Sequence, residues 1–189
     1  ILGLWLVLAL AVGAAGVLAT VQPPLPQVII LSLTILALGL ALRVSPVREW
    51  IADIDPRWLV AFHLTRYVGF YFLVLYDRNE LPYAFAVYGG WGDILVATLA
   101  VLVLLFVPRP VSSRARLLLG AWNVIGFVDI LGVVITATRA FMVDPASMAA
   151  LLRLPLSLLP TFVVPLVLAT HILIALRLRR APVRQWETA

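Results

Sequence analysis

Cysteine and lysine are both absent from this chain of 189 residues, histidine occurs twice, and charged residues make up only 12% of it. The lack of cysteine excludes a disulfide-stapled secreted fold and any thiolate metal site. Soluble domains carry about a quarter of their residues as charged side chains. The low charge therefore excludes both an ordinary soluble domain and a charge-rich disordered chain.

Several common catalytic motifs are missing as well. The sequence has no Gly-x-Ser-x-Gly, no His-Glu-x-x-His, no phosphate-binding loop and no Gly-x-Gly-x-x-Gly. These motifs are typical of serine hydrolases, zinc proteases, nucleoside triphosphatases and dinucleotide-binding enzymes. The net charge of +5 comes without a nucleic-acid recognition motif. We therefore expect neither an enzyme nor a nucleic-acid partner, although the sequence leaves the enzyme question open.

Long apolar runs dominate what is present. Hydrophobic residues make up 63% of the chain, and the mean hydropathy is +1.09. Since about 20 apolar residues cross a bilayer, the pattern predicts one all-α domain over residues 1–189, a polytopic membrane bundle of six transmembrane helices. The predicted spans are 1–20, 28–42, 56–76, a fourth that Asp93 caps and that ends at Val107, 117–138 and 157–176. The first could instead be a signal peptide.

Between the third and fourth spans, residues 81–88 predict a short interfacial helix rich in aromatic side chains. The glycines that follow, in the segment 89–92, predict a flexible turn. Asp93 then suits the N-cap of the fourth span.

Arginine is distributed unevenly between the predicted loops. With both termini cytoplasmic, the cytoplasmic side carries ten arginines and the opposite side only Arg78, Arg139 and Arg153. Such an excess is typical of cytoplasmic loops. We therefore expect a multi-pass protein of the cell inner membrane with both termini in the cytoplasm. The ten are Arg43, Arg48, Arg57, Arg109, Arg114, Arg116, Arg177, Arg179, Arg180 and Arg184.

Two histidines and an asparagine are predicted at one depth. His63, His171 and Asn123 each lie six or seven residues from an arginine on the cytoplasmic side, which is roughly 9–10 Å along a helix. Imidazole ligates haem iron and the metal of chlorophyll-type pigments. The pattern suggests His171 and His63 as axial metal ligands of a tetrapyrrole, with Asn123 in support. Helix–helix hydrogen bonds, for instance to Thr170 or Asn123, explain the same residues.

Arg66 and Asp129 are predicted to form an ion pair inside the membrane. A lone charge in hydrocarbon costs several kcal/mol, so the two are expected to pair. The pair is either a structural clamp or part of a proton or ion relay. Pro160 and Pro165 are expected to kink the sixth span and could open a cavity beside His171.

Two six-residue segments resemble each other loosely. Residues 90–95 read Gly-Trp-Gly-Asp-Ile-Leu and residues 126–131 read Gly-Phe-Val-Asp-Ile-Leu. The first is predicted to start a helix and the second to lie inside one that runs in the opposite direction. We attribute the match to chance and infer no inverted repeat from it.

Five segments resemble those of small, hypothetical bacterial membrane proteins that have no known activity. They are Arg66-Tyr67-Val68-Gly69, Leu81-Pro82-Tyr83-Ala84-Phe85-Ala86, Gly90-Trp91-Gly92-Asp93-Ile94, Asn123-Val124-Ile125-Gly126 with Asp129, and the proline-rich segment 155–165. The resemblance covers roughly the last two-thirds of the chain. It implies a bacterial origin and a shared fold, and it implies no mechanism.

Two functions follow as hypotheses. The first is a non-enzymatic subunit of a larger membrane complex that binds haem or a chlorophyll-type pigment through His171 and His63. The second is a small-solute or ion transporter or channel that uses Arg66, Asp129 and the proline-kinked sixth span. Either way we expect the lipid bilayer, and other membrane subunits or further copies of the chain, as partners.

Overall fold

The computed structural model describes residues 1–107 and 113–180, and this part of the chain contains helices and no strands. The all-α membrane-bundle class predicted from the sequence is confirmed. Five helical stretches are long and apolar enough to cross a membrane: Leu25–Arg43, Pro56–Asp77, Tyr83–Phe106, Arg114–Val143 and Leu159–Arg179. The α-helices are α1 (Leu2–Ala14), α2 (Leu25–Arg43), α3 (Ser45–Asp53), α4 (Pro56–Phe62), α5 (Gly69–Asp77), α6 (Tyr83–Phe106), α7 (Ser113–Val143) and α8 (Val164–Arg180).

The first predicted span is shorter than expected. Helix α1 has 13 residues, or about 20 Å at the α-helical rise, against a hydrocarbon core of about 30 Å. Gly16 ends this stretch with a φ of 66°, a left-handed conformation that glycine adopts without a steric penalty. A 3-10 turn, Val17–Thr20, follows. The six predicted spans therefore become five long ones and one short apolar helix.

The turn predicted over 89–92 is wrong, because α6 is one continuous helix of 24 residues. The separate interfacial helix near 81–88 is its first part, and Asp93 lies inside the helix instead of capping it. Close packing explains why the helix keeps these glycines. A Cβ on Gly69 of α5 would collide with the Gly90 carbonyl, and one on Gly90 would lie 2.9 Å from the Gly69 carbonyl.

Two spans contain irregular segments. A 3-10 segment, His63–Val68, joins α4 to α5 and carries both His63 and Arg66. A π-helical segment, Leu159–Val163, precedes α8 and contains Pro160. Proline withholds a backbone donor, which favours such a break. The predicted distortion of the last span is therefore present, and an unexpected one lies in the third.

Arginines close helix ends at one end of the bundle. This arginine end is where α2, α6 and α8 finish and where α4 and α7 begin; the opposite, distal end includes the 3-10 segment Pro145–Leu152. The Arg57 guanidinium donates to the carbonyls of Leu104 and Val107. Arg116 donates to Leu178 at 2.6 Å and Arg177 to Ile54 at 2.9 Å. These bonds satisfy carbonyls that helix C-termini leave open.

Apolar clusters fill both halves of the bundle and enclose a polar layer. On each core helix the polar residue lies between a residue of the distal cluster and one of the arginine-end cluster. In α7, for example, Asp129 and Asn123 lie between Ile130 and Trp122, and in α8 His171 lies between Leu168 and Leu173. The core helices thus place their buried charged, imidazole and amide side chains at mid-depth. Arg109 and Arg184 lie outside the described residues.

Candidate functional site

Arg66 lies at the centre of a buried ion cluster. Its side chain is 2% exposed, and all three guanidinium nitrogens donate hydrogen bonds. Nε donates to Asp93 Oδ1 at 2.6 Å, Nη1 donates to the Gly126 carbonyl at 3.0 Å, and Nη2 donates to Asp129 Oδ2. The structure thus brings Arg66 and Asp129 together and adds a second carboxylate.

Asp93 is the candidate site residue that the sequence analysis missed, since the sequence predicts a helix cap there. The loose match between segments 90–95 and 126–131 was the clue that could have found it. Each segment has an aspartate three residues after a glycine, and both aspartates meet on Arg66. The antiparallel course of α6 and α7, which argued against a repeat, brings the two carboxylates to two nitrogens of one guanidinium, Nε and Nη2.

Glycines make room for this arrangement. A Cβ on Gly92 would overlap the Asp129 carboxylate. A Cβ on Gly126 would lie 2.6 Å from His171 Cε1 and 2.9 Å from Val96 Cγ1. Glycines in membrane helices commonly mark such close approaches. Here they let side chains as well as backbones occupy the space between α6, α7 and α8.

The two carboxylates differ in their surroundings. The side chain of Asp93 is 5% exposed and that of Asp129 is 24% exposed. With every group ionised, one guanidinium faces two carboxylates and the cluster carries a net charge of −1. Because an unbalanced charge is costly inside a bilayer, one additional cation would stabilise the cluster.

A neutral layer lies next to the cluster on the side of the arginine end. His63 and His171 are 0% and 1% exposed, and their ring centres are 4.2 Å apart. The Trp122 ring packs edge-on against the His63 ring, with 5.0 Å between the ring centres. Asn123 Nδ2 donates to the His171 carbonyl at 3.1 Å. The structure therefore brings together the three residues that were predicted at one depth.

The hydrogen bonds assign a tautomer to each imidazole. Thr170 Oγ1 donates to the Leu166 carbonyl at 2.8 Å, so it accepts from His63 Nε2 at 3.2 Å. Asn123 Oδ1 accepts from His171 Nδ1 at 2.9 Å. The other nitrogens, His63 Nδ1 and His171 Nε2, keep their lone pairs and have no donor among the described residues. An N–H held by an oxygen is also the usual arrangement of metal-binding histidines.

The distance between the two imidazole rings tests whether both could ligate one tetrapyrrole. Two imidazoles on opposite faces of one iron have nitrogens about 4 Å apart and ring centres roughly 6 Å apart, from metal–nitrogen bonds of about 2 Å. At 4.2 Å the rings touch each other and leave no space for a macrocycle between them. In this arrangement the pair does not fit two-sided ligation. Within residues 1–107 and 113–180, no group of three or more His, Asp or Glu side chains could hold a metal ion.

Comparison with known proteins gives one match. A family model described as Domain of unknown function (DUF8737) matches residues 24–179. The matched region includes α2 to α7 and nearly all of α8, and it contains every residue of the ion cluster and of the neutral layer beside it. No curated protein and no solved structure matches the chain. The short helix α1 lies outside the matched region.

Proposed function

The chain belongs to the DUF8737 family, and we propose that it is an integral membrane protein that binds and transfers a small cation, in the first place a proton. The cation binds at the ion cluster of Arg66, Asp93 and Asp129. This proposal develops the ion-transport hypothesis drawn from the sequence. It assigns Asp93 and Asp129 as the acceptors and Arg66 as the fixed positive charge between them.

The shared guanidinium is the observation that carries the proposal. A structural clamp needs one carboxylate for one arginine, because a one-to-one pair is already neutral. The second carboxylate adds a negative charge at a place where negative charge is expensive. A proton on either carboxylate, or one monovalent cation bound beside the two carboxylates, makes the cluster neutral. Reversible binding of one positive charge is what a carrier site requires.

Irregular backbone in two of the spans also supports the proposal. Arg66 lies in the 3-10 segment of its span, and the π-helical segment Leu159–Val163 precedes α8. Interrupted membrane helices occur where backbone lines a cavity or a binding site. Such segments rearrange more easily than continuous helix, which transfer between two sides of the membrane requires.

A flux measurement on purified protein in liposomes tests the proposal. A potassium gradient with valinomycin sets the membrane potential, and an enclosed pH dye reports proton entry. We expect uptake above that of protein-free liposomes, and a loss of at least tenfold in Asp93→Asn and in Asp129→Asn. Asp77→Asn makes the same chemical change at an exposed position and should leave uptake unchanged.

Liposomes of the same lipid and protein content, prepared without valinomycin, decide between cations. If sodium or potassium is taken up in place of protons, with the same loss in both aspartate variants, the proposed site stands and the transported ion is a different one. Wild-type liposomes that match protein-free ones for all three cations would overturn the proposal.

The subunit hypothesis is a second candidate, favoured by the two buried imidazole lone pairs. It needs His171 or His63 to ligate a tetrapyrrole from one side, or the two rings to move apart. Protein purified under mild conditions from its own membranes should then show a Soret or chlorophyll band. His171→Ala should bleach or shift that band, with His63→Ala as the comparison. A colourless protein with both lone pairs intact would remove the cofactor from the hypothesis.

Membrane identity and orientation belong to the proposal as well. We place the protein in the inner membrane of a bacterium, with the arginine end and both termini in the cytoplasm, which requires the short helix α1 to cross the membrane together with the five long helices. Other membrane subunits or further copies of the chain are its proposed protein partners. Reporter fusions in the segment 108–112 and at the C-terminus should both report the cytoplasm. A periplasmic result at either position would reverse or break this topology.

A further inference from the structure

A cavity of about 80 Å³ adjoins Asp93. Besides Asp93, its lining includes Phe72 on α5, Phe85 on α6, Val134 and Thr138 on α7, and Gln27 near the start of α2. Thr138 lies nine residues beyond Asp129 in α7, which is roughly 13 Å toward the distal end. The cavity therefore extends from the ion cluster toward the distal end of the bundle.

Three polar groups border this otherwise apolar cavity. Asp93 contributes a carboxylate whose Oδ1 atom already accepts from Arg66. Thr138 donates its hydroxyl hydrogen to the Val134 carbonyl at 2.7 Å, so its oxygen can still accept. Gln27 Oε1 is buried and has no donor among the described residues. A buried acceptor without a donor is costly, and ordered water is the usual way in which proteins satisfy one.

The size of the cavity suits water. One water molecule occupies about 30 Å³ in the liquid, so the cavity holds about two or three. Water can donate to the Asp93 carboxylate and to the Thr138 hydroxyl oxygen, whereas a purely apolar molecule would give neither of them a further donor. A short chain of water molecules would thus link the inner carboxylate to the distal end.

The route toward the arginine end is closed in the same structure. Beyond the ion cluster lie the two imidazoles, and beyond them Trp122 donates its indole hydrogen to the Val96 carbonyl at 3.2 Å. Buried side chains including Leu119, Leu173 and Ile174 pack around Trp122. Access to Asp93 is therefore one-sided.

We infer that the cavity is a water-filled entry path that gives the distal side of the membrane access to Asp93. The inference deepens the proposed function, because it names the route of the cation. In the proton case, a protonated water in the cavity gives its proton to Asp93. One O–H bond breaks on water and one forms on the carboxyl group. Arg66 keeps its pair with Asp129, so the cluster becomes neutral without any change in oxidation state.

Single cysteines test the path, since the chain contains no cysteine of its own. Val134→Cys lines the cavity, while Ile135→Cys lies at nearly the same depth on the outer surface of α7, where Ile135 is 52% exposed. A charged, membrane-impermeant thiol reagent is added from either side of sealed vesicles. We expect the Val134→Cys thiol to react at least tenfold faster than that of Ile135→Cys, and only from the distal side.

Equal rates at the two positions, or faster reaction from the arginine end, would overturn the inference. The labelling result does not depend on transport, so it stands apart from the test of the proposed function. Filling the cavity with a larger side chain tests whether transport uses this path. Val134→Phe should reduce proton uptake at least tenfold, and Ile135→Phe should leave it unchanged. Uptake that survives Val134→Phe in a folded protein would show that the cation takes another route.

Discussion

The ion cluster and the imidazole layer lie side by side in the bundle and solve the problem of buried polarity in opposite ways. Around Arg66 the groups are charged, and two carboxylates compete for one guanidinium. Around His63 and His171 the groups are neutral, and Thr170 and Asn123 each accept one imidazole N–H. The first layer depends on charge balance, whereas the second depends on matching donors to acceptors.

The difference determines how each layer should respond to mutation. Removing one partner of a buried ion pair leaves an uncompensated charge, which costs about 3–5 kcal/mol. Removing one partner of a neutral hydrogen bond leaves a polar group unsatisfied, which costs about 1–3 kcal/mol. Four substitutions test this contrast, in descending order of expected effect.

Arg66→Gln should destabilise the protein most, by about 3–5 kcal/mol, because two buried carboxylates lose their shared cation. Asp93→Asn should cost much less, since Arg66 and Asp129 stay paired. Chemical unfolding in detergent micelles measures both. Replacing both aspartates by asparagine in the Arg66→Gln background removes every charge and should recover most of the loss. Equal losses in Arg66→Gln and Asp93→Asn would refute the charge-balance account.

Gly126→Ala should disturb both the ion cluster and the imidazole layer. It should destabilise the protein by about 2–3 kcal/mol, a typical penalty for overpacking. The new methyl group would collide with His171 and Val96, while the carbonyl of the same residue holds Arg66. Gly132→Ala on the same helix is the matched control, because a Cβ there meets nothing within 4 Å. Similar thermal stability of the two alanine variants would contradict the close contact.

Asn123→Leu should cost about 1–2 kcal/mol, because the His171 ring N–H loses its partner and the His171 carbonyl, which lies inside α8, loses its side-chain donor. A double-mutant cycle with His171→Phe isolates the pair. In the double variant both sides are apolar, so it should be more stable than the sum of the two single losses predicts. Additive losses would mean that the two side chains do not interact.

Thr170→Val should have the smallest effect, about 1 kcal/mol, since it removes one neutral acceptor from His63. His63 can move its hydrogen to Nδ1, which limits the loss. Thr136→Val is the control, because within the described part of the chain the Thr136 hydroxyl bonds only to the Gly132 carbonyl of its own helix. Melting temperatures in micelles should place Thr170→Val below Thr136→Val. The reverse order would remove Thr170 from the imidazole layer.

Much of the fold was accessible from the sequence because hydrophobicity and helix breaks are local properties. Apolar length predicted the five long helices. Asp55 followed by Pro56 marked the start of the third span, and the structure shows Asp55 accepting from the Arg57 N–H. The glycines at 89–92 misled the same local reasoning. Their role is to admit α5 and Asp129, and no local rule separates a glycine in a turn from one at a helix crossing.

The sequence by itself determined the all-helical class, the presence of five apolar stretches long enough to cross a membrane, and the choice of polar residues at mid-depth. Helix rise converts position along the chain into depth, so residue numbers alone place His63, His171 and Asn123 at one level. Only the tertiary structure decided how the helices rotate and which faces meet. Rotation made Asp93 a second acceptor for Arg66 and set the two imidazoles in contact, because those distances depend on packing between helices.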